Sequence, residues 1–570
     1  MGKAGSLRAG SRYDAPLPGW RVGLSSYALI FSFLFVTHVP LLRLPYFWDE
    51  AGYFIPAAYD LLTTGSLIPH TTLSNAHPPL VMLWLAFWWK FSAFTPAVTR
   101  TAMLMVASFA LLGLWRLSCA VANRHVATAT VLCTAVYPVF FAQSSMAQLD
   151  VAAAAFTLWG LAMYVERRPV WTLVFFSLAP LAKETALVTP IALLCWELLC
   201  AGFVPAAKAE ALCLYRDLRH ALKFLLCPVP LALWLAYHHS RTGYYLGNPE
   251  YLRYNVQATL TPLRIAIALL LRLWQLFGYL NLFVLVGAAA IAMLEIPLAE
   301  ADGELRRRIA INVQLPFLAV IAANLVAESA VGGAVLARYM LPVVPLVILI
   351  CVSTVRRRVR RWTWVIAGAC AAFVVQLCVA PPYRIAPEDT LLYRDFVVKH
   401  KQMAEQLSAR YFHSRILTAW PASDELTRPF LGYVKQPLDV VRIENFSCTE
   451  LAKAAHAPGA FDVAFVFSTK WEPVHPLFAT SRWFEQLQER FFDYHRDVGP
   501  EEAAAMLGGR VVAEENRDNE WVALIAMNEI EDAKTRQGSG SGRLPTSAVK
   551  LASHRYQRPL YLAQKQLSNR

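Results

Sequence analysis

The sequence predicts an all-α polytopic membrane protein of about 11 transmembrane helices that carries a small C-terminal α/β soluble domain. Three observations predict it. The 570 residues are 56% hydrophobic and only 16% charged, well below the roughly 25% charged residues of an ordinary soluble domain. Long apolar runs recur between Leu24 and Ala380, and at Pro381 they give way to short alternating strand-like and helix-like stretches. The composition excludes a disordered chain, a coiled coil and a soluble enzyme. Ten Cys in this length make no disulfide scaffold, and the soluble part holds a single one, Cys448.

Residues 1–23 carry Lys3, Arg8, Arg12 and Arg21 ahead of the uncharged run Leu24–Leu42. No small-residue cleavage site follows, so this is an uncleaved first span behind a cytoplasmic N-terminus. Further runs are Ala97–Val121, Val126–Gln143, Val151–Val165, Val170–Ala182, Thr185–Cys200, Phe224–Tyr237, Ile265–Ile296, Ile309–Val326, Val335–Val355 and Trp362–Ala380. Several fall short of the roughly 20 residues a crossing needs, and the long Ile265–Ile296 run has room for an extra turn.

One more apolar stretch, Pro78–Ala93, decides the topology. Counted as a span it inverts everything after it. Counted as a helix dipping into the outer face it leaves eleven spans. Positive charge arbitrates, because Lys and Arg collect on the inner side. With eleven spans, 20 of the 29 Lys and Arg before Pro381 fall inside, including Arg306–Arg308 and the RRRVRR run at Arg356–Arg361. The outer face then receives the loop Phe47–Pro79, which has no Lys or Arg, and everything after Pro381.

From Pro381 to Ile530 the chain has 16 basic and 22 acidic residues, a net −6. Its β-branched runs RILTAW, DVVRI, FDVAFVFST, GRVVAEE and EWVALIAM alternate with helix-like stretches such as Trp483–Phe492 and Glu501–Leu507. That alternation predicts a small α/β domain. Residues 531–570 contain a GSGSG linker and read as a disordered basic tail. The organisation is therefore 1–23, the membrane part 24–380 with its outer loop 47–79, the domain 381–530 and the tail.

Within the outer loop, Asp49 and Glu50 follow the first span with no basic residue near them in sequence. They read either as the cap of an interfacial helix or as a functional carboxylate pair at membrane depth. Asp150 reads either as the cap of its span or as a second site carboxylate. Lys183 and Glu184 interrupt an apolar stretch and read as a neutralising pair, with Lys183 still open to an anionic ligand. Arg241 and Arg253 flank a Tyr-rich loop, and Arg338 and Tyr339 begin ARYMLP. Cations on the outer side oppose the usual bias. Phosphate recognition by the planar guanidinium fork explains them, and contact with lipid headgroups is the plainer alternative. His77, before two prolines, is a loop histidine, a phosphate donor or a metal ligand; the last is weakest, because no second His has ligand spacing.

Taken in order, DE after the first span, HPPL at His77–Leu80, Asp150, LAKE at Leu181–Glu184 and ARYMLP at Ala337–Pro342 resemble a known pattern. It is that of lipid-linked-sugar glycosyltransferases of the protein O-mannosyltransferase and aminoarabinose transferase type, over about residues 20–380. The resemblance implies a C-type glycosyltransferase fold, with Asp49 as catalytic base and His77, Lys183 and Arg338 on the carrier phosphate. Bacterial aminoarabinose enzymes usually have Lys where this chain has His77, which leaves the sugar open. The chain lacks the sugar-binding-like repeats of the eukaryotic mannosyltransferases, so it stands nearer the bacterial branch.

The expected activity is inverting transfer of a sugar from a polyprenyl-phosphate donor to an acceptor hydroxyl on the extracytoplasmic face of a bacterial inner membrane. The acceptor is a protein, a lipid or a glycan. A phosphate leaving group needs charge neutralisation, and a hydroxyl nucleophile needs a positioned base. No cofactor is expected; a divalent metal held by Asp49 and Asp150 is the disfavoured variant. Despite the net charge of +13, no nucleic-acid module is recognisable. The rivals are a transporter or flippase, which would put charges at mid-membrane, and a non-catalytic scaffold. Arg272 alone points toward the former.

Overall fold

The computed structural model describes residues 20–527 apart from 216, 458, 474–481, 493 and 518. The expectations for residues 1–19 and for the tail 531–570 lie outside the described residues. Among the described residues, six helices are long and apolar enough to cross a membrane: Gly23–Leu41, Pro96–Val121, Glu184–Phe203, Leu218–Thr242, Pro262–Ala292 and Ile311–Ala330. Shorter apolar helices are Leu80–Phe91, Leu149–Val165, Pro169–Ala182 and Trp362–Cys378.

Local chemistry sets many of their ends. Thr95 and Asn123 accept hydrogen bonds from the backbone N–H of Val98 and Val126, capping the helices that follow. Proline occupies the first turn of Pro96–Val121, Pro169–Ala182 and Pro262–Phe277, where its missing N–H costs nothing. The run Ile265–Ile296 is broken at Leu280 and Asn281, both in the left-handed region, into Pro262–Phe277 and Leu282–Ala292. Helices Pro96–Val121, Leu149–Val165 and Pro169–Ala182 approach closely because two glycines receive rings. A Cβ on Gly113 would lie 2.7 Å from Trp159, and one on Gly160 would lie 2.5 Å from Phe176.

The Pro78–Ala93 stretch forms the 12-residue helix Leu80–Phe91. At 1.5 Å per residue it is about 18 Å long, too short for a roughly 30 Å hydrocarbon core. Its indoles tie it to the next helix, Trp84 donating to the Ala102 carbonyl and Trp89 to the Thr99 hydroxyl, each at 3.0 Å.

Beyond the last apolar helix a 3₁₀ turn, Pro387–Asp389, leads into helix Leu392–Arg410. Five strands follow: β1 (Arg415–Ala419), β2 (Asp439–Ile443), β3 (Val463–Phe467), β4 (Gly509–Arg517) and β5 (Glu520–Met527). They are the five β-branched runs of the sequence. The order is β2-β1-β3-β5-β4, with the first three parallel and the β3/β5 and β5/β4 pairs antiparallel. β3 is buried throughout, as its continuous apolar VAFVF demands.

One apolar cluster joins this sheet to the first outer loop, uniting Tyr46, Phe47 and Phe54 with Phe396, Phe465 and Ile525. Tyr433 donates to the Tyr46 carbonyl at 3.0 Å, and the rings of Tyr59 and Phe430 stack 4.8 Å apart. At the far end of the bundle a disulfide joins Cys200 to Cys213. The positive-charge bias would put that end in the cytoplasm, whereas disulfides persist in oxidising compartments. The two signals of sidedness oppose one another.

Candidate functional site

The site forms where the first span ends. Arg100, fully buried on helix Pro96–Val121, donates to the carbonyls of Leu44 (3.2 Å), Pro45 (2.7 Å) and Ser145 (3.3 Å). Glu50, also fully buried, lies 3.4 Å from Arg100 Nη2 and accepts from the N–H of Phe47 (2.8 Å) and Ala147 (2.6 Å). Glu50 is expected beside Asp49 in the catalytic role; the structure places it against Arg100 and the backbone instead. Its oxygens are spent holding the Leu44–Glu50 turn against Ala147, and it faces no opening. Asp49 points the other way. Its side chain makes no helix-capping hydrogen bond, so the plainer reading of this residue fails. Trp48 before it has φ 45°, and π-helical winding over Glu50–Phe54 follows. Widened turns of that kind recur at functional sites.

Arg338 gathers the carboxylates. Its Nη2 is 2.5 Å from Asp49 Oδ2, its Nε is 3.2 Å from Asp150 Oδ2, and its Nη1 donates to Glu388 Oε1. Lys183 Nζ lies 2.6 Å from Asp150 Oδ1 and 3.7 Å from the centroid of the Tyr339 ring. Arg272 and Arg338 also approach that ring, at 5.2 and 5.5 Å. Asp150 sits in the first turn of Leu149–Val165, but Gln148 is the capping position and Asp150's oxygens go to the two cations. Exposure separates the members: the Asp49 side chain retains 22%, whereas Asp150, Glu388 and Arg338 retain 5, 5 and 4%.

Lys183 and Glu184 do not pair with each other as expected. The backbone turns between them, sending Lys183 to Asp150 and Glu184 to His77 Nδ1 at 2.9 Å. His77 Nε2 stands 3.5 Å from the Tyr251 hydroxyl. The imidazole lines a narrow cleft with Tyr53, Phe54, Thr72, Asn75 and Trp234. Arg241 and Arg253, expected at the substrate, stay exposed and make no ion pair among the described residues. Arg241 instead lies 5.6 Å over the Tyr237 ring.

Sequence reasoning missed Glu388 and Asp389, which it counted among the charges of the soluble part. Both are buried. Gln148 donates to Glu388 Oε2 at 3.2 Å and Tyr279 to Asp389 Oδ2 at 2.6 Å. Burial pushes Glu388 up to about 8 and Asp389 up to about 6. For Glu388, burial together with the charges of Asp49 and Asp389 outweighs the pull of Arg338. The signal was an acidic pair within ten residues of the last apolar run.

The C-terminal unit reaches the same place. Trp48 and Trp420 meet edge to face at 5.1 Å, and Phe396 packs on Phe47 at 5.3 Å. A Cβ on Gly52 would lie 2.7 Å from the Trp420 ring. No group of three His, Cys, Asp or Glu among the described residues is arranged to hold a metal ion.

No family model matches the chain, and no curated protein matches it. Among solved structures it is similar to ArnT from Cupriavidus metallidurans in the apo state, at 15% identity over 89% of this chain and 98% of that one, TM-score 0.48. It is also similar to the Archaeoglobus fulgidus oligosaccharyltransferase in complex with Zn and sulfate, at 10% identity over 78% and 68%, TM-score 0.43. The arabinofuranosyltransferase AftD from Mycobacteria matches at 12% identity over 90% and 40%, TM-score 0.44. All three scores lie below 0.5, so the site is judged on its own residues.

Proposed function

We propose that the protein transfers a glycosyl group, a hexose or pentose, from a polyprenyl-phosphate carrier to an acceptor hydroxyl at the Asp49 end of the bundle. The observation that carries the proposal is convergence. Asp49, Asp150, Lys183 and Arg338 come from four distant segments, and of the three acids on Arg338 only Asp49 keeps partial access to solvent. An apolar bundle with two cations and an accessible carboxylate beside them suits a lipid-anchored anionic leaving group facing a neutral nucleophile.

In the proposed reaction the donor phosphate takes Lys183 and Arg338, with His77 at the edge of the adjoining cleft. Asp49 removes the acceptor hydroxyl proton while that oxygen attacks the anomeric carbon. The bond from that carbon to the phosphate oxygen breaks, and its electron pair leaves on the phosphate, whose charge the cations neutralise. A single displacement inverts the anomeric centre, in the manner of the base half of an inverting glycosidase. In this reading the cation facing Asp49, Asp150 and Glu388 is Arg338, and no metal is invoked. Loss of turnover on chelation would instead put a divalent ion between Asp49 and Asp150.

The positive-charge bias supports an inner-membrane protein with this end outside the cytoplasm. Incubating the full chain in membranes with radiolabelled polyprenyl-phosphate sugar tests the reaction. Label moving to a membrane, glycan or protein acceptor supports it; a label that changes leaflet without changing its chemical linkage marks a flippase instead.

A further inference from the structure

The end of the bundle opposite Asp49 has its own organisation. Helix Leu282–Ala292 runs into segment 293–308, which folds back on the end of helix Val344–Arg358. Leu298 N–H donates to the Arg357 carbonyl at 2.9 Å, and Arg306 N–H donates to the Leu298 carbonyl at 2.8 Å. Arg306 Nη1 reaches the Arg356 carbonyl at 2.7 Å. Segments 293–308 and 356–361 together hold eight Arg against four acids.

The acids do not neutralise the arginines. Glu300 takes Arg356 at 2.6 Å and reaches Arg306 at 4.0 Å, and no other ion pair forms here among the described residues. Asp302 and Glu304 stand exposed at the tip of the fold-back, Asp302 accepting from the Glu304 N–H. Arg358 donates to the carbonyls of Met293 and Glu295. Arg307, Arg308, Arg357, Arg360 and Arg361 make no ion pair among the described residues. Arg357 lies in the field of Arg308 and Arg358, and its Nε is buried without a hydrogen-bond partner. Beside these cations the surface is apolar, with Leu294, Ile296 and Trp364 exposed by 86, 79 and 76%.

We propose that this face binds the headgroup of an anionic phospholipid. The fold carries the patch where apolar helices end, the depth of a phosphodiester layer. Guanidinium forks match phosphate oxygens bidentately. Clusters of basic residues next to apolar helix ends read as anionic-lipid sites. The exposed leucine, isoleucine and tryptophan fit acyl chains and the interface, whereas a nucleic acid or an acidic peptide would leave them in water.

The test uses the full chain in nanodiscs of phosphatidylcholine with and without phosphatidylglycerol, released into detergent and weighed by native mass spectrometry. The expected result is retained phosphatidylglycerol on the wild type and little retained phosphatidylcholine. In R307Q/R308Q/R357Q, with an unchanged melting temperature in phosphatidylcholine, retention should fall about tenfold, while the Lys triple variant, which keeps the charge but not the fork, should retain an intermediate amount. Equal retention of the two lipids by the wild type, or full retention by the Gln variant, overturns the proposal. If the Gln variant does not fold, salt decides on the wild type: retention should drop about tenfold on raising salt to about 1 M, and salt-independent retention overturns it.

Discussion

Arg338 Nη2 lies 2.5 Å from Asp49 Oδ2, so the proposed base and the proposed phosphate cation are partners of one another. A carboxylate held by a guanidinium is a weak base. A donor phosphate that draws Arg338 toward itself releases Asp49 for the acceptor hydroxyl, so the ion pair makes base strength depend on a bound donor.

Ordered kinetics follow, with donor before acceptor, and initial-velocity patterns at varied concentrations of both substrates should show it. Arg338→Gln should raise the donor KM and lower kcat together. It also takes the cation from Asp49 and Glu388, while Asp150 keeps Lys183, and should lower the melting temperature. Arg338→Lys keeps the charge but not the fork and should recover stability more than turnover.

Glu388 predicts how stability changes with pH. Burial raises its folded pKa to about 8, above its ordinary value of 4.5. The folded state therefore binds this proton more tightly than the unfolded chain. The contribution is fully present below about pH 4.5 and is lost as pH rises through about 8. Asp389, raised to about 6, adds to the lower part of that window. Melting temperatures should fall as pH rises from 5 to about 8 and level off above it, and Glu388→Gln should flatten the fall. A slope unchanged in that variant assigns the proton elsewhere.

Gly52 and Trp420 link the C-terminal unit to the Asp49 turn. A methyl group at Gly52 has no room beside the indole, so Gly52→Ala should cost about 1–3 kcal/mol. Trp420→Ala removes the ring from Trp48 and loosens the turn that presents Asp49. Its kcat should fall more than its donor KM changes, with the melt only modestly lowered. Equal effects on both constants would assign Trp420 to donor binding.

Cys200 and Cys213 test sidedness. If charge sets orientation, this end faces the cytoplasm and both thiols should be reduced in cells. Trapping free thiols in intact cells with a permeant maleimide, then measuring the mass, reads this directly. A bond that resists alkylation until reductant is added would reverse the topology.

Much of this molecule was legible in its sequence. The five strands coincide with five β-branched runs because strand propensity and burial agree along each of them. Asp49, Asp150, Lys183 and Arg338 stood out as charges interrupting apolar sequence, and they prove to be neighbours. Their pairing was not legible. Lys183 and Glu184 are adjacent in sequence, but an extended residue between two helices sends their side chains to different partners. Glu50 looked equivalent to Asp49 because sequence carries no record of which way a turn faces; Arg100, fifty residues on, decides that. Glu388 was hidden by composition, sitting just past the point where the chain turns polar.

The most direct test of the central claim compares wild type with Asp49→Asn in the transfer of label from a polyprenyl-phosphate sugar. The amide keeps the shape and a hydrogen bond but cannot accept the acceptor's proton. The expected result is a fall in transfer of about 10²–10⁴-fold, with donor binding and melting temperature close to wild type. Transfer by Asp49→Asn near the wild-type rate would contradict the assignment of Asp49 as the base.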